Sequence, residues 1–216
     1  MKYYAINGSP RKKWNTAQML QKSLDGIKSV DASNEVEMIH LYELNFKPCM
    51  SCFLCKKIDG KSYGKCGYKD ELSPVLEKLA TADGIIFGSP IYFGSTSGYM
   101  RSFLERLLFQ YLVYDKEKSS LAPKRMPTAF IYTMNVTKEI MNDFKYSERL
   151  GVMDNFIGRI LTDPEVLYVN NTMQFTDYSK YKTDAFSEED KRAYREKYYD
   201  ADCEKAFNLG ISMCKN

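Results

Sequence analysis

Hydrophobic residues along this chain fall into two alternating rhythms. Tyr3, Tyr4, Ala5 and Ile6 form a short apolar run suited to a buried strand. Ala17, Leu20, Leu24 and Ile27 follow at 3-4-3 spacing, which lays them on one face of a helix. Asn15 or Thr16 is placed to cap that helix. The pair then repeats. Val36 to Leu41 reads as a second strand, and Leu72, Val75, Leu76 and Leu79 as a second amphipathic helix. Gly84 to Gly88 is a continuous apolar run, as a strand covered on both faces requires. Met100, Phe103, Leu104, Leu107 and Leu108 mark a third helix, and Thr128 to Met134 a fourth strand. Tyr146 to Leu161 predicts a fourth helix, and Glu165 to Val169 a fifth strand. Ser187 with Asp190 resembles a capping box and opens the last helix, which runs through Cys214. Tyr42–Lys69 and Asn170–Phe186 follow neither rhythm.

Strands separated by helices predict an α/β fold with a five-stranded parallel sheet covered by helices on both faces. Ligands of such sheets bind outside the carboxyl ends of the strands. Three candidate loops lie at those ends. The first, NGSPRKKWNT at 7–16, reads as a strand that stops, a tight turn and a helix that starts. A helix start carries unpaired N–H groups and partial positive charge, so it receives anions. Ser9, Asn15 and Thr16 add hydroxyl or amide donors, and Arg11 a planar guanidinium suited to phosphate. The second loop is SPIYFGSTSG at 89–98, and the third spans Thr133 to Asn135. Taken singly, each is an ordinary strand–helix connection, with Tyr92 and Phe93 as rim packing. Their convergence at one end of the sheet points to a site.

Composition narrows the classes. The chain has 216 residues without repeat or linker, which predicts one domain over 1–216 with a cysteine-containing loop at about 45–69. Its 31 basic and 28 acidic residues, net +3, leave no nucleic-acid footprint. No apolar run approaches the roughly 20 residues that span a bilayer, and the N-terminus offers no signal-peptide core. The expected location is the cytoplasm, where six cysteines do not form a disulfide framework. Cys203 and Cys214 read as apolar fillers of the last helix. His40, the single histidine, reads as structural. No Gly-x-Gly-x-x-Gly occurs, and Gly60-x3-Gly64-Lys65 is one residue short of a Walker loop.

The stretches NGSPRKKWNT, PCMSCFLCKK (48–57) and ADGIIFGSPIYFGSTSGYMRSFLER (82–106), in this order and spacing, resemble the flavodoxin-like NAD(P)H-dependent FMN reductase family. The likeness is to its iron–sulfur flavoprotein branch in particular and extends through about residue 135. It implies FMN, with Ser9, Arg11, Asn15 and Thr16 on the phosphate. Pro90, Ile91, Tyr92, Phe93 and Gly94 would lie against the ring, and Thr133 and Asn135 at its pyrimidine edge. The implied activity is hydride transfer from NAD(P)H, a transient donor, through flavin to a quinone, flavin, nitro compound or protein acceptor. Flavin carries that chemistry, so no catalytic side chain is expected. A homodimer or homotetramer is also implied, with Tyr111–Tyr114 and Phe175–Tyr181 as candidate contacts. Cys49, Cys52, Cys55 and Cys66 fall within 18 residues and leave two readings open. One is a [4Fe–4S] cluster in an electron carrier. The other is plain thiols in a loop near the flavin, favoured by the gap of ten residues before Cys66, wider than the branch's compact arrangement.

Overall fold

Five strands lie parallel in the computed structural model, which describes residues 1–215. They are β1 (Lys2–Asn7), β2 (Glu35–His40), β3 (Gly84–Tyr92), β5 (Thr128–Thr133) and β6 (Glu165–Val169), ordered β2-β1-β3-β5-β6. This is the flavodoxin-like order, with the chain reversing direction across the sheet beside β1 and β3. The expected five strands gain a sixth. β3 runs on to Tyr92, and the two-residue β4 (Ser95–Thr96) folds back on it antiparallel.

Helices α1 (Asn15–Val30) and α6 (Glu188–Ser212) cover one face of the sheet. The other face packs against α2 (Ser73–Leu79), α3 (Gly98–Phe109) and α5 (Tyr146–Ile160). The apolar stripes read from the sequence are the stripes buried: Leu20, Leu24 and Ile27 on one face, and Leu76, Phe103, Leu104 and Ile157 on the other. Alternation in β1 divides the two cores, with Tyr3 and Ala5 facing α1 and α6, and Tyr4 and Ile6 facing the opposite layer. α1 and α6 cross closely. A Cβ on Gly210 would stand 1.9 Å from the Ser23 carbonyl oxygen, and one on Gly26 would stand 2.1 Å from that of Phe207.

Two expectations need correction. Neither Asn15 nor Thr16 caps α1; both are helical residues, and Trp14 holds the cap position without a side-chain cap bond. A short helix, α4 (Lys138–Asp143), precedes α5 and has no counterpart in the sequence reading. Its six residues bury only Met141, too little for a visible stripe, and the Thr137 hydroxyl accepts from Ile140 N to start it. Among the described residues no helix is long and apolar enough to cross a membrane.

Candidate functional site

The first loop is held by its own side chains. Asn7, fully buried at the end of β1, accepts a bond from Ser9 N at 2.9 Å and presents its amide to His40 Nδ1 at 2.9 Å. Ser9 Oγ accepts from Arg11 N at 3.1 Å. Gly8 is required here: its N–H reaches Gly88 O at 2.8 Å, and a Cβ would stand 2.8 Å from Met100 Cβ. α1 then starts without a cap and without an acidic residue in its first turn. Its leading N–H groups are the orphan donors of a helix terminus, and Asn15 and Thr16 line the cleft beside them.

The second loop is a hairpin rather than an open connection. Phe93 at φ 52° and Gly94 at φ 75° make the two-residue turn between β3 and β4, a geometry that favours Gly or Asn at both positions. Phe93 adopts it at a steric cost and holds its ring fully in solvent. Pro90, Ile91 and Tyr92 form the wall on the cleft side. Phe93 and Gly94, grouped with them by sequence, do not line the cleft; Gly94 lies over Arg149 and Tyr146 of α5. Ser97 ties the first two loops together. Its hydroxyl donates to Gly8 O at 2.6 Å and accepts from Met100 N at 3.2 Å, capping α3.

The third loop supplies Thr133, Met134 and Asn135, and Thr133 Oγ1 meets Thr16 Oγ1 at 2.7 Å. A fourth wall, Thr172 to Phe175, was not assigned to the site by sequence. It follows β6, so the rule that placed the other loops at strand carboxyl ends also reaches it. Trp14 Nε1 and Asn15 Nδ2 donate to Met173 O at 3.1 and 2.8 Å, and Arg11 Nη1 donates to Gln174 O. Trp14 also lines the cleft without having been assigned to it; as the chain's single tryptophan inside an anion loop, it offered a signal. Together these loops enclose a cavity of about 150 Å³, adjoined by a recess of about 470 Å³ between Arg11–Trp14 and Gln174–Thr176.

These residues fit a phosphate-bearing flat heterocycle. The uncapped helix start and the Ser9 and Thr16 hydroxyls offer donors for the anion. Pro90, Ile91 and Tyr92 form a largely apolar wall. Asn135 belongs to the lining, and among the described residues its buried Oδ1 has no hydrogen-bond partner, a group that a ring N–H would satisfy. Behind it, the Asn135 carbonyl accepts from the buried Lys191 ammonium at 2.8 Å.

The cysteine loop lies apart from this cleft, around Arg106 of α3. Arg106 is 2% exposed. It donates through Nε to Cys66 Sγ at 3.0 Å, through Nη1 to Lys47 O and Asp70 Oδ2, and through Nη2 to Tyr68 O and Asp70 Oδ1. The pair with Arg106 and bonds from the backbone hold Asp70 below the usual carboxylate range, against the opposing effect of burial. Cys49, Cys52, Cys55 and Cys66 all border one cavity of about 20 Å³. Among the described residues no three His, Cys, Asp or Glu side chains form a metal-holding group. The sequence-derived ligand set is gathered in space without being assembled as a site.

Two kinds of likeness follow from this architecture. Over 106 residues the chain is 37% identical to an iron–sulfur flavoprotein of Methanocaldococcus jannaschii, a match covering 49% of this chain and 51% of that protein. The chain thus matches about half the length of this curated relative. Among solved structures, an NAD(P)H:quinone oxidoreductase from Methanothermobacter marburgensis superposes with TM-score 0.69 at 15% identity, covering 99% of this chain and 96% of that one. An FMN-dependent NADH-azoreductase from Bacillus anthracis, solved with FMN, gives 0.62 at 14% identity over 97% and 100% of the two chains. At such identities the structures share the fold. Residues 1–134, which hold the first two loops and the start of the third, match the family described as NADPH-dependent FMN reductase, and the chain belongs to that family of oxidoreductases.

Proposed function

We propose that this chain is an FMN-dependent oxidoreductase that takes hydride from NADH or NADPH and passes it to a quinone, flavin, nitro compound or protein acceptor. The observation that carries the reading is the cleft itself: an uncapped helix start, an apolar wall and Asn135, whose Oδ1 has no partner among the described residues, line one cavity. In this reading Ser9, Arg11, Asn15 and Thr16 bind the phosphate, with the N–H groups of the first turn of α1. Pro90, Ile91 and Tyr92 orient the ring, and Asn135 Oδ1 accepts from its pyrimidine edge. Bound FMN supplies the hydride chemistry, so the side chains need only bind, orient and exclude water. The exposed Phe93 stands at the rim, where a nicotinamide or an acceptor would enter.

Titration of the apoprotein with FMN, followed by anaerobic addition of NADH or NADPH, tests the reading. Saturable FMN binding and bleaching by nicotinamide support it; an apoprotein that takes up no FMN defeats it. The same reading places the protein in the cytoplasm as a homodimer or homotetramer, the latter checked by sedimentation.

A second reading is an iron–sulfur flavoprotein that carries electrons. It draws on the names of the relatives and on the four cysteines bordering one cavity. Iron and sulfide assays on anaerobically purified protein decide between the two. Stoichiometric iron without reaction toward NAD(P)H favours the carrier, and bleaching without iron favours the reductase.

A further inference from the structure

Lys191 is 3% exposed, a rare setting for a lysine. It follows the Ser187 cap of α6 by four residues, near the positive end of the helix, so desolvation and the helix dipole both oppose its charge. Glu188, Glu189 and Asp190 occupy the first turn of the same helix. Among the described residues the ammonium's hydrogen-bond partners from other segments are neutral. It donates to Asn135 O at 2.8 Å and to Asn171 Oδ1 at 2.7 Å, and it faces the Phe186 ring at 5.2 Å.

Those two acceptors belong to the third and fourth walls of the cleft. Asn171, at φ 50°, donates its N–H to Val136 O at 2.8 Å, and Thr172 N reaches Met134 O at 3.0 Å. The two segments are therefore zipped together beyond the strand ends, with Lys191 bonded to both. We propose that Lys191 is a positioning residue for the cleft: its ammonium fixes the Asn135 peptide and the Asn171 turn, so that the Asn135 amide faces the cofactor. It also sets a positive charge one peptide behind the cleft, which favours an anionic ligand. This role rests on the FMN reading of the cleft. Burial lowers Lys191 to about 8, so the charge is present at neutral pH and is lost in mildly alkaline solution.

The test compares wild type, Lys191→Met and Lys191→Arg in FMN titrations from about pH 6.5 to about pH 9.5, spanning the lowered lysine value. Amide hydrogen exchange at Asn171 and Thr172 of the apoproteins gives a readout that needs no cofactor. Wild type should lose FMN affinity as pH rises through the lysine's range. Lys191→Met should bind about tenfold more weakly at neutral pH, the lower end for a charge-assisted bond, and show no alkaline step. Lys191→Arg should restore the neutral-pH affinity and hold it into alkaline solution. Exchange should quicken in the methionine variant and not in the arginine variant. A folded Lys191→Met protein that binds FMN like wild type at every pH overturns the proposal and leaves the flavin reading standing. Wild type that takes up no FMN defeats the flavin reading, and unchanged exchange in Lys191→Met would then overturn the positioning role as well.

Discussion

Thr16 Oγ1 and Thr133 Oγ1 stand 2.7 Å apart, joining the first turn of α1 to the end of β5 across 117 residues of sequence. Both threonines are nearly fully buried, and both line the cleft. Each hydroxyl can donate once, so the pair can pass one donor into the cleft while satisfying itself. Thr133→Val should leave the Thr16 hydroxyl without its protein partner and cost about 1–3 kcal/mol in the apoprotein, read from urea unfolding. The double Val variant should lose little more than either single one, because the removed interaction is shared. Additive losses would show that the two hydroxyls act independently.

Arg11 has two occupations. Its guanidinium donates to Gln174 O and lies 5.3 Å from the centre of the Trp14 ring, at the junction of the cleft and the adjoining recess. Arg11→Ala removes a charge-assisted bond worth roughly 1.5–3 kcal/mol, so FMN binding should weaken about 10- to 100-fold. Quenching of flavin fluorescence measures it. Unchanged affinity would assign Arg11 to the Gln174 contact alone.

His40 should make the first loop pH-sensitive. Asn7 Oδ1 already accepts from Ser9 N, so the group facing His40 Nδ1 is the amide donor, and the imidazole must be unprotonated there. Burial, and then the charge of Lys12, hold His40 below its ordinary value of 6.5. The unfolded chain therefore takes up this proton first as pH falls. Stability is full above the unfolded value and is lost as pH drops through the window below 6.5. Urea midpoints at about pH 7.5 and about pH 5.5, on either side of that value, should fall more for wild type than for His40→Gln. Equal slopes would remove His40 from the pH response.

The sheet was legible because β1, β3 and β5 are continuous apolar runs, and the helices because residues such as Leu20, Leu24 and Phe103 recur at helical spacing. Both are statements about burial, which hydrophobicity encodes directly. The first three loops were legible because strand carboxyl ends converge whatever their sequence. What the sequence does not carry depends on contacts between distant segments. Met173 enters the site through a backbone carbonyl that Trp14 and Asn15 both bond, and a carbonyl leaves no mark in sequence. Phe93 was placed beside the ring by the family resemblance, yet a two-residue turn holds its ring in solvent. Lys191 sits among the charged residues of a polar-looking helix and reads as solvated until α6 is laid against the third loop.

Arg106 gives the cysteine loop its shape. Its buried guanidinium bonds one sulfur, two carbonyls and both oxygens of Asp70, and α3 carries it into the core beneath the loop. Arg106→Met would leave the Asp70 carboxylate without its partner while its side chain is only 12% exposed. Breaking a buried pair from one side costs about 3–5 kcal/mol, so thermal unfolding should shift down sharply. The same substitution should release the loop. Cys52 is exposed, whereas Cys55 is buried and Cys66 half-buried. In wild type a thiol reagent should therefore modify Cys52 well before Cys55 and Cys66. In Arg106→Met all three should react at the rate of Cys52 under conditions where the sheet remains folded. Protection of Cys55 and Cys66 that survives the substitution would mean that packing against Phe109 and Gln110, which border the same cavity, holds the loop without the guanidinium.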